Sequence, residues 1–177
     1  MKNYSISYFV VVLLLLSLIS CKEESSTEPE TTSSLYPLKV ANVWTYDKAT
    51  NLGDYEDIYL VEAKVSDTIF KVKFTSSGSM GDNREETIVA ENKSDGYYQD
   101  GTIIYKYPAE AGDTYQSGSR TITVIATNVS ITVPAGTFNC IEYESGGSTY
   151  WVSPGVGQIK WSNDQWNHSE LISYTLN

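Results

Sequence analysis

Apolar and polar residues alternate along most of this chain, and the strongest combination of strand and turn signals lies in residues 129–161. In residues 129–133, valine or isoleucine at the odd positions alternates with serine or threonine, the pattern of a strand with one buried face. Pro134-Ala135-Gly136 then predicts a chain reversal, because proline presets φ at a turn corner and glycine closes a bulged hairpin. Three further strands, separated by turns, are predicted at residues 138–144, 149–152 and 158–161.

The same period of two predicts strands elsewhere, at residues 42–47, 55–65, 68–74, 84–91, 97–99, 102–107, 120–127 and 170–176. Residues 75–83 and 108–113 are predicted to be loops, and no window has helical spacing over three turns. We therefore predict an all-β fold, a single antiparallel meander of about ten strands. Residues 55–65 and 138–144 are apolar on both faces. Either a curved sheet or half-barrel, or a sandwich with crossing strands, would account for this.

Residues 1–20 have the composition of a signal peptide. Lys2 precedes an apolar run that is shorter than the about 20 residues needed to span a bilayer. The run ends in Leu18-Ile19-Ser20-Cys21, which resembles the lipobox of bacterial lipoproteins. That resemblance implies that the thiol of Cys21 is diacylated after cleavage. Several acyl chains, such as palmitate, would anchor the protein stably. The alternative is an ordinary secretory signal followed by a chance cysteine.

Residues 21–34 comprise this cysteine and a segment rich in Ser, Thr and Glu. The segment after Cys21 has no apolar residue, so we expect a disordered tether that spans on the order of 20 Å. Lys22-Glu23-Glu24 resembles the export signal that sends Bacteroidetes lipoproteins to the outer face of the outer membrane. A solvated charged tether is the alternative, so both the cell surface and the periplasmic face stay open. Residues 35–177 are predicted to form one β-rich globular domain.

The charge balance narrows the possible partners. The chain has 12 basic and 22 acidic residues, so removal of Lys2 with the signal peptide leaves 11 basic against 22 acidic, a balance of −11. Nucleic acid is therefore disfavoured as a partner, because its binding requires positive charge. With Cys21 acylated, Cys140 has no disulfide partner. We expect it to be a small buried apolar residue rather than a nucleophile.

Four segments of the domain resemble a group of Bacteroidetes-type lipoproteins and exported β-domains of unknown function. They are YPLKVANVWTY, VPAGTFNC, YWVSPGVGQIKW and ELISYTL. These motifs are built from turn residues and core aromatics, and Ala41 stands where the group has glycine. The resemblance implies a curved antiparallel sheet similar to the half-barrels of lipoprotein carriers. It implies no catalytic residue.

No catalytic or metal-binding motif stands out. The lone histidine, His168, is predicted to lie in a polar turn, with no cysteine or histidine at ligand spacing, so it is expected to be a surface residue. The pairs Glu85-Glu86 and Glu142/Glu144 are expected to be solvated strand residues rather than a hydrolytic pair. Turn residues of the kind that bind calcium do not have EF-hand spacing and are expected to form Asx turns: Asp82, Asn83, Asp95 and Asp100.

Aromatic residues are the remaining candidates for binding. Trp44 and Trp151 have strand neighbours typical of core, whereas Trp166 is flanked by polar residues. Trp166 is therefore our candidate ligand-binding residue, for stacking on a sugar or an apolar ligand. We predict a non-enzymatic, lipid-anchored protein of the outer membrane without a cofactor, a binding or accessory module for an apolar or carbohydrate ligand. The alternatives are a structural or partner-docking protein of the envelope and a carbohydrate-active hydrolase. The sequence does not predict the oligomeric state.

Overall fold

The structure, a computed structural model, describes residues 34–163 and 166–177. Within them the chain forms twelve strands and offers no helix long and apolar enough to cross a membrane. The strands are β1 (Val43–Thr50), β2 (Gly53–Lys64), β3 (Ile69–Gly78), β4 (Asn83–Lys93), β5 (Gly96–Gln99), β6 (Thr102–Lys106), β7 (Thr114–Ser117), β8 (Arg120–Val133), β9 (Gly136–Ser145), β10 (Ser148–Ser153), β11 (Gly157–Ser162) and β12 (His168–Thr175).

All twelve strands belong to one antiparallel sheet, in the order β6-β5-β4-β3-β2-β1-β12-β11-β10-β9-β8-β7. Each strand pairs with its neighbours in sequence, except that β6 and β7 do not pair and form the two edges. β1 pairs with β12, so the two ends of the domain meet in the middle of the sheet. The sheet curves around its own core until its edge strands, β6 and β7, come close. The predicted all-β meander is confirmed, and a curved, nearly closed sheet is the shape that it takes.

Some predicted boundaries were wrong. Residues 75–83 are not all loop, because β3 continues to Gly78 and β4 begins at Asn83. Serine on the inner side of this extension is tolerated because Ser76 donates a hydrogen bond to the carboxylate of Asp57. The predicted strand 120–127 and the start of the central meander are one strand, β8. It bends at two register shifts and at Asn128, whose φ is 64°.

Side chains close the seam between β6 and β7. The hydroxyl of Tyr115 donates a hydrogen bond to the carbonyl of Ile104 (2.8 Å), and the hydroxyl of Tyr143 donates one to the carbonyl of Lys106 (2.7 Å). The Nζ atom of Lys106 also lies 2.8 Å from Oδ2 of Asp113. Carbonyl groups that a neighbouring strand would otherwise bind are thus satisfied, which makes β6 a poorer template for pairing with another chain.

The segment that precedes β1, residues 34–42, fills one end of the curved sheet, and we call it the plug. Leu35 is only 2% exposed, and the ring of Tyr36 stacks on that of Tyr97 with 4.0 Å between centroids. The Tyr36 hydroxyl accepts a hydrogen bond from the backbone N–H of Gln158 (2.9 Å), and Gly155 donates one to the carbonyl of Ser34 (3.0 Å). We call this the plugged end. The β1–β2, β3–β4, β5–β6, β7–β8, β9–β10 and β11–β12 turns lie at the opposite end, the far end.

Candidate functional site

The concave face of the sheet contains two adjoining cavities, of about 210 and about 260 Å³. They share four lining residues, so we treat them as one site, the cup. The lining of the first cavity runs from the plug to the far end of the sheet: Tyr36, Leu38, Trp44, Tyr46, Tyr59, Val72, Tyr97, Gln99, Ile104, Tyr105, Arg120, Tyr150 and Gln158. The second is nearer the far end: Tyr46, Lys48, Asp57, Tyr59, Tyr150, Gln158, Trp161 and Ser169.

The period of two brings these side chains together. On β1, Trp44, Tyr46 and Lys48 point to the same face, and their register partners on β2 include Tyr59 and Asp57. Apolar and aromatic positions near the plugged end therefore give way to charged positions near the far end along the same strands. The lining of the cup is therefore mainly aromatic near the plugged end and partly charged near the far end.

The floor of the cup is fixed by hydrogen bonds to the β10–β11 turn and to Gln158. The Trp44 indole Nε1 donates to the carbonyl of Val156 (2.7 Å), and the Tyr46 hydroxyl donates to the carbonyl of Gln158 (2.9 Å). The Tyr105 hydroxyl donates to Oε1 of the same glutamine (2.7 Å). These polar atoms already have partners, so the floor presents mainly aromatic surface to a ligand.

The floor is also uncharged. Burial, and then the neighbouring tyrosines, raise the pKa values of Tyr36, Tyr46 and Tyr105 well above the usual value. Burial raises the pKa of Tyr97 to about 12, although its hydroxyl accepts a hydrogen bond from Nε2 of Gln99 (3.0 Å). All of these phenols stay protonated at physiological pH.

Several uncharged polar groups of the lining remain available. The hydroxyls of Tyr59, Tyr150 and Ser169 and the indole N–H of Trp161 have no hydrogen-bond partner among the described residues. Every fully buried polar side-chain atom of the described chain does have a partner, so these groups are within reach of solvent. They can hydrogen-bond a ligand that enters from the far end.

The charged residues of the lining lie towards the far end of the cup. Asp57 is 6% exposed; its carboxylate accepts a hydrogen bond from Ser76 and lies 3.6 Å from Nζ of Lys48. Arg120 has no carboxylate within ion-pair distance in the described part of the chain. Arg120 therefore supplies the uncompensated charge of the lining.

Apolar side chains form a rim at the far end. Leu52, Met80 and Trp166 lie in the turns β1–β2, β3–β4 and β11–β12, which are neighbours in the sheet, and are 70%, 77% and 66% exposed. The expected exposure of Trp166 is confirmed, but it does not line either cavity. Its role in ligand binding stays a prediction.

The other tryptophans and Cys140 take different positions. Trp44 is core, as expected, but Trp151 is only half-buried, in register with Glu142 and Lys160. Cys140 is 1% exposed, and burial raises the pKa of its thiol to about 12. A thiol that stays protonated is a poor nucleophile.

The remaining candidate residues do not form a reactive cluster. His168 begins β12 rather than lying within a turn. No group of three or more His, Cys, Asp or Glu residues within residues 34–163 and 166–177 could hold a metal ion. Residues 1–33 lie outside the described residues, and with them Cys21 and the predicted signal peptide and most of the tether.

Sequence reasoning did not single out Asp57, Arg120, Tyr150 or Gln158. For two of them a signal existed: Arg120 is in phase with Ile122 and Val124, and Asp57 is in phase with Tyr59. A charged residue at an apolar position of a strand indicates a wet interior.

Comparisons of the chain with protein-family models, with curated proteins and with solved structures find no match. Its function is therefore inferred from the geometry and chemistry of the cup.

Proposed function

We propose that this protein is a lipid-anchored, non-enzymatic binding module of the bacterial outer membrane, which holds a small ligand with an apolar or sugar ring in the cup. The observation that carries the proposal is the cup itself, with its aromatic floor and its unpartnered hydroxyl and indole N–H groups. Aromatic faces stack on rings, and a few polar groups fix their orientation.

Native mass spectrometry of the full chain, purified from its own cells, tests this proposal. We expect a non-covalent adduct that is lost on denaturation. Tyr150 lines both cavities, so Tyr150→Ala should reduce the adduct-bearing fraction at least about tenfold, as expected for the loss of an aromatic wall and a hydrogen bond.

Tyr98→Ala is the matched control, because Tyr98 precedes Gln99 on the same strand but lines neither cavity. Its adduct should equal that of the wild type. A wild-type protein of bare mass would contradict the proposal. Trp166→Ala belongs in the same series, and an unchanged adduct would contradict a ligand contact at the rim.

Anchoring is proposed from the lipobox-like Leu18-Ile19-Ser20-Cys21 alone. Replacing the cysteine removes the thiol that would carry the acyl chains, so Cys21→Ser should move the protein from the membrane fraction to the soluble fraction. Protease treatment of intact cells then distinguishes cell-surface from periplasmic display. Cys140→Ser is the control for loss of a thiol, and it should leave the fractionation unchanged. Membrane association of the Cys21→Ser protein would contradict acylation there.

The apolar rim supports a second candidate, docking to a partner protein of the envelope. Large apolar side chains on adjacent turns are typical of interaction surfaces. If the protein docks to a partner through this rim, a cross-linker placed at Leu52 should capture one reproducible neighbouring protein on intact cells. If it does not, no neighbour should be captured. A hydrolase is not proposed, because the described lining of the cup has a single carboxylate, Asp57, whereas glycoside hydrolysis usually requires two.

A further inference from the structure

We propose that the ligand of the cup is an amphipathic anion, whose carboxylate, sulfonate or phosphate group binds Arg120 while its apolar or aromatic body lies on the tyrosine floor. This inference rests on the proposed binding function and names the chemical class of the ligand.

The position of Arg120 is the first support. Arg120, Ile122 and Val124 alternate along β8, and the two apolar residues are buried. Arg120 therefore belongs to the inner face of the sheet although it lies next to the β7–β8 turn at the far end. It lines the same cavity as Trp44 and Tyr105, so one molecule can contact the aromatic floor and the guanidinium.

The balance of charge around the cup is the second support. The carboxylate of Asp57 faces Lys48, and that of Glu86, which is close enough to affect the pKa of Tyr59, is paired with Arg84 at 2.6 Å. Asp100, in the β5–β6 turn, accepts a hydrogen bond from the backbone N–H of Val89 (3.0 Å). No carboxylate among the described residues is within 4 Å of Arg120, so its guanidinium can bind an external anion.

The chemistry of the two ends of the cup is the third support. The floor holds protonated phenols that have hydrogen-bond partners, so it favours the uncharged part of a ligand. A guanidinium presents several N–H donors in a planar fork that matches the oxygens of a carboxylate, sulfonate or phosphate group. The chain as a whole has a net charge of −10, so the uncompensated positive charge of Arg120 in the lining does not simply reflect the overall composition.

Two fluorescent probes that differ in one anionic group test this inference. Anilinonaphthalene sulfonate carries a sulfonate, and N-phenylnaphthylamine has the same ring system without it. Both are titrated at neutral pH into the mature chain, residues 21–177, with Cys21→Ala so that no acyl chain competes. We expect the wild type to bind the sulfonate about tenfold more tightly than the neutral probe.

Arg120→Gln should remove this preference and leave the affinity for the neutral probe unchanged, whereas Arg120→Lys should keep part of it. The preference of the wild type should also decrease as salt is added, because Arg120 is exposed. Lys71→Gln is the control for net charge. Lys71 is exposed and has no ion pair among the described residues, and its side chain alternates with the inward Phe70 and Val72.

Each outcome has a distinct meaning. Equal affinity for the two probes, or a preference that survives Arg120→Gln, would overturn the role of Arg120 while leaving the cup as a binding site. Loss of the preference in Lys71→Gln as well would show that only net charge matters, and would also overturn it. Failure of both probes to bind the wild type would contradict ring binding in the cup, and thus the proposed function itself.

Discussion

Replacement of Trp44 by alanine is expected to lower the free energy of unfolding by about 4 kcal/mol. Trp44 is 2% exposed, its indole N–H donates to the carbonyl of Val156 on the β10–β11 turn, and its ring meets that of Tyr36 edge-on at 6.0 Å. It thus connects β1 to the plug and to a turn more than a hundred residues away in sequence. Its loss would leave a cavity next to the existing one, which the rigid sheet cannot easily fill. Urea unfolding followed by circular dichroism measures the change.

Two further variants make this result specific. Trp44→Phe keeps most of the apolar ring and loses the hydrogen bond, so a loss of about 1.5 kcal/mol is expected. Trp166→Ala is the matched control, because it removes the same side chain from an exposed turn; its effect should be about 0.5 kcal/mol or less. If Trp44→Ala and Trp166→Ala changed stability equally, Trp44 would not be the structural link that its contacts indicate.

The architecture of the sheet was predictable because local signals determine it. Turn residues and the period of two locate hairpins one after another, and a chain of hairpins is a meander. Long-range pairing was less accessible. Nothing in the sequence of β1 or β12 identifies the other as its partner, although Trp44 pairs with Tyr174 and Tyr46 with Leu171. Curvature is what brings these strands together, and it depends on bulges, such as those of β8, that have no strong sequence signature.

The candidate site was less predictable than the fold. Aromatic residues were recognised as candidates, but the sequence pointed to the exposed Trp166, whereas the cup is lined by residues from β1, β2, β3, β5, β6, β8, β10, β11 and β12 and from the plug. The plug was the least predictable part. In the sequence, Leu35 and Tyr36 look like the entry to the first strand, and only the curved, nearly closed sheet makes the space that they fill.

The fit of the plug gives the second large effect: Gly157→Ala is expected to destabilise the protein by about 3 kcal/mol. Gly157 has a φ of 104°, which side chains rarely adopt, and a Cβ atom there would lie 2.5 Å from Cε1 of Tyr36. The tyrosine cannot easily move, because its ring stacks on Tyr97 and its hydroxyl accepts the N–H of Gln158. Urea unfolding again provides the measurement.

A control separates backbone strain from the contact. Gly147 has a φ of 81°, but a methyl group at its Cα would have no atom within 4 Å, so Gly147→Ala should cost only the conformational part, about 1 kcal/mol. In a Tyr36→Ala background, Gly157→Ala should fall to a similar cost, because the clashing ring is gone. If its cost stayed the same in both backgrounds, the contact between the plug and β11 would not be what requires glycine here. If the cost of Gly157→Ala fell as expected, close packing between the plug and β11 would be what holds the floor of the cup in place. A substitution on either side of this contact would then alter the ligand site as well as the stability.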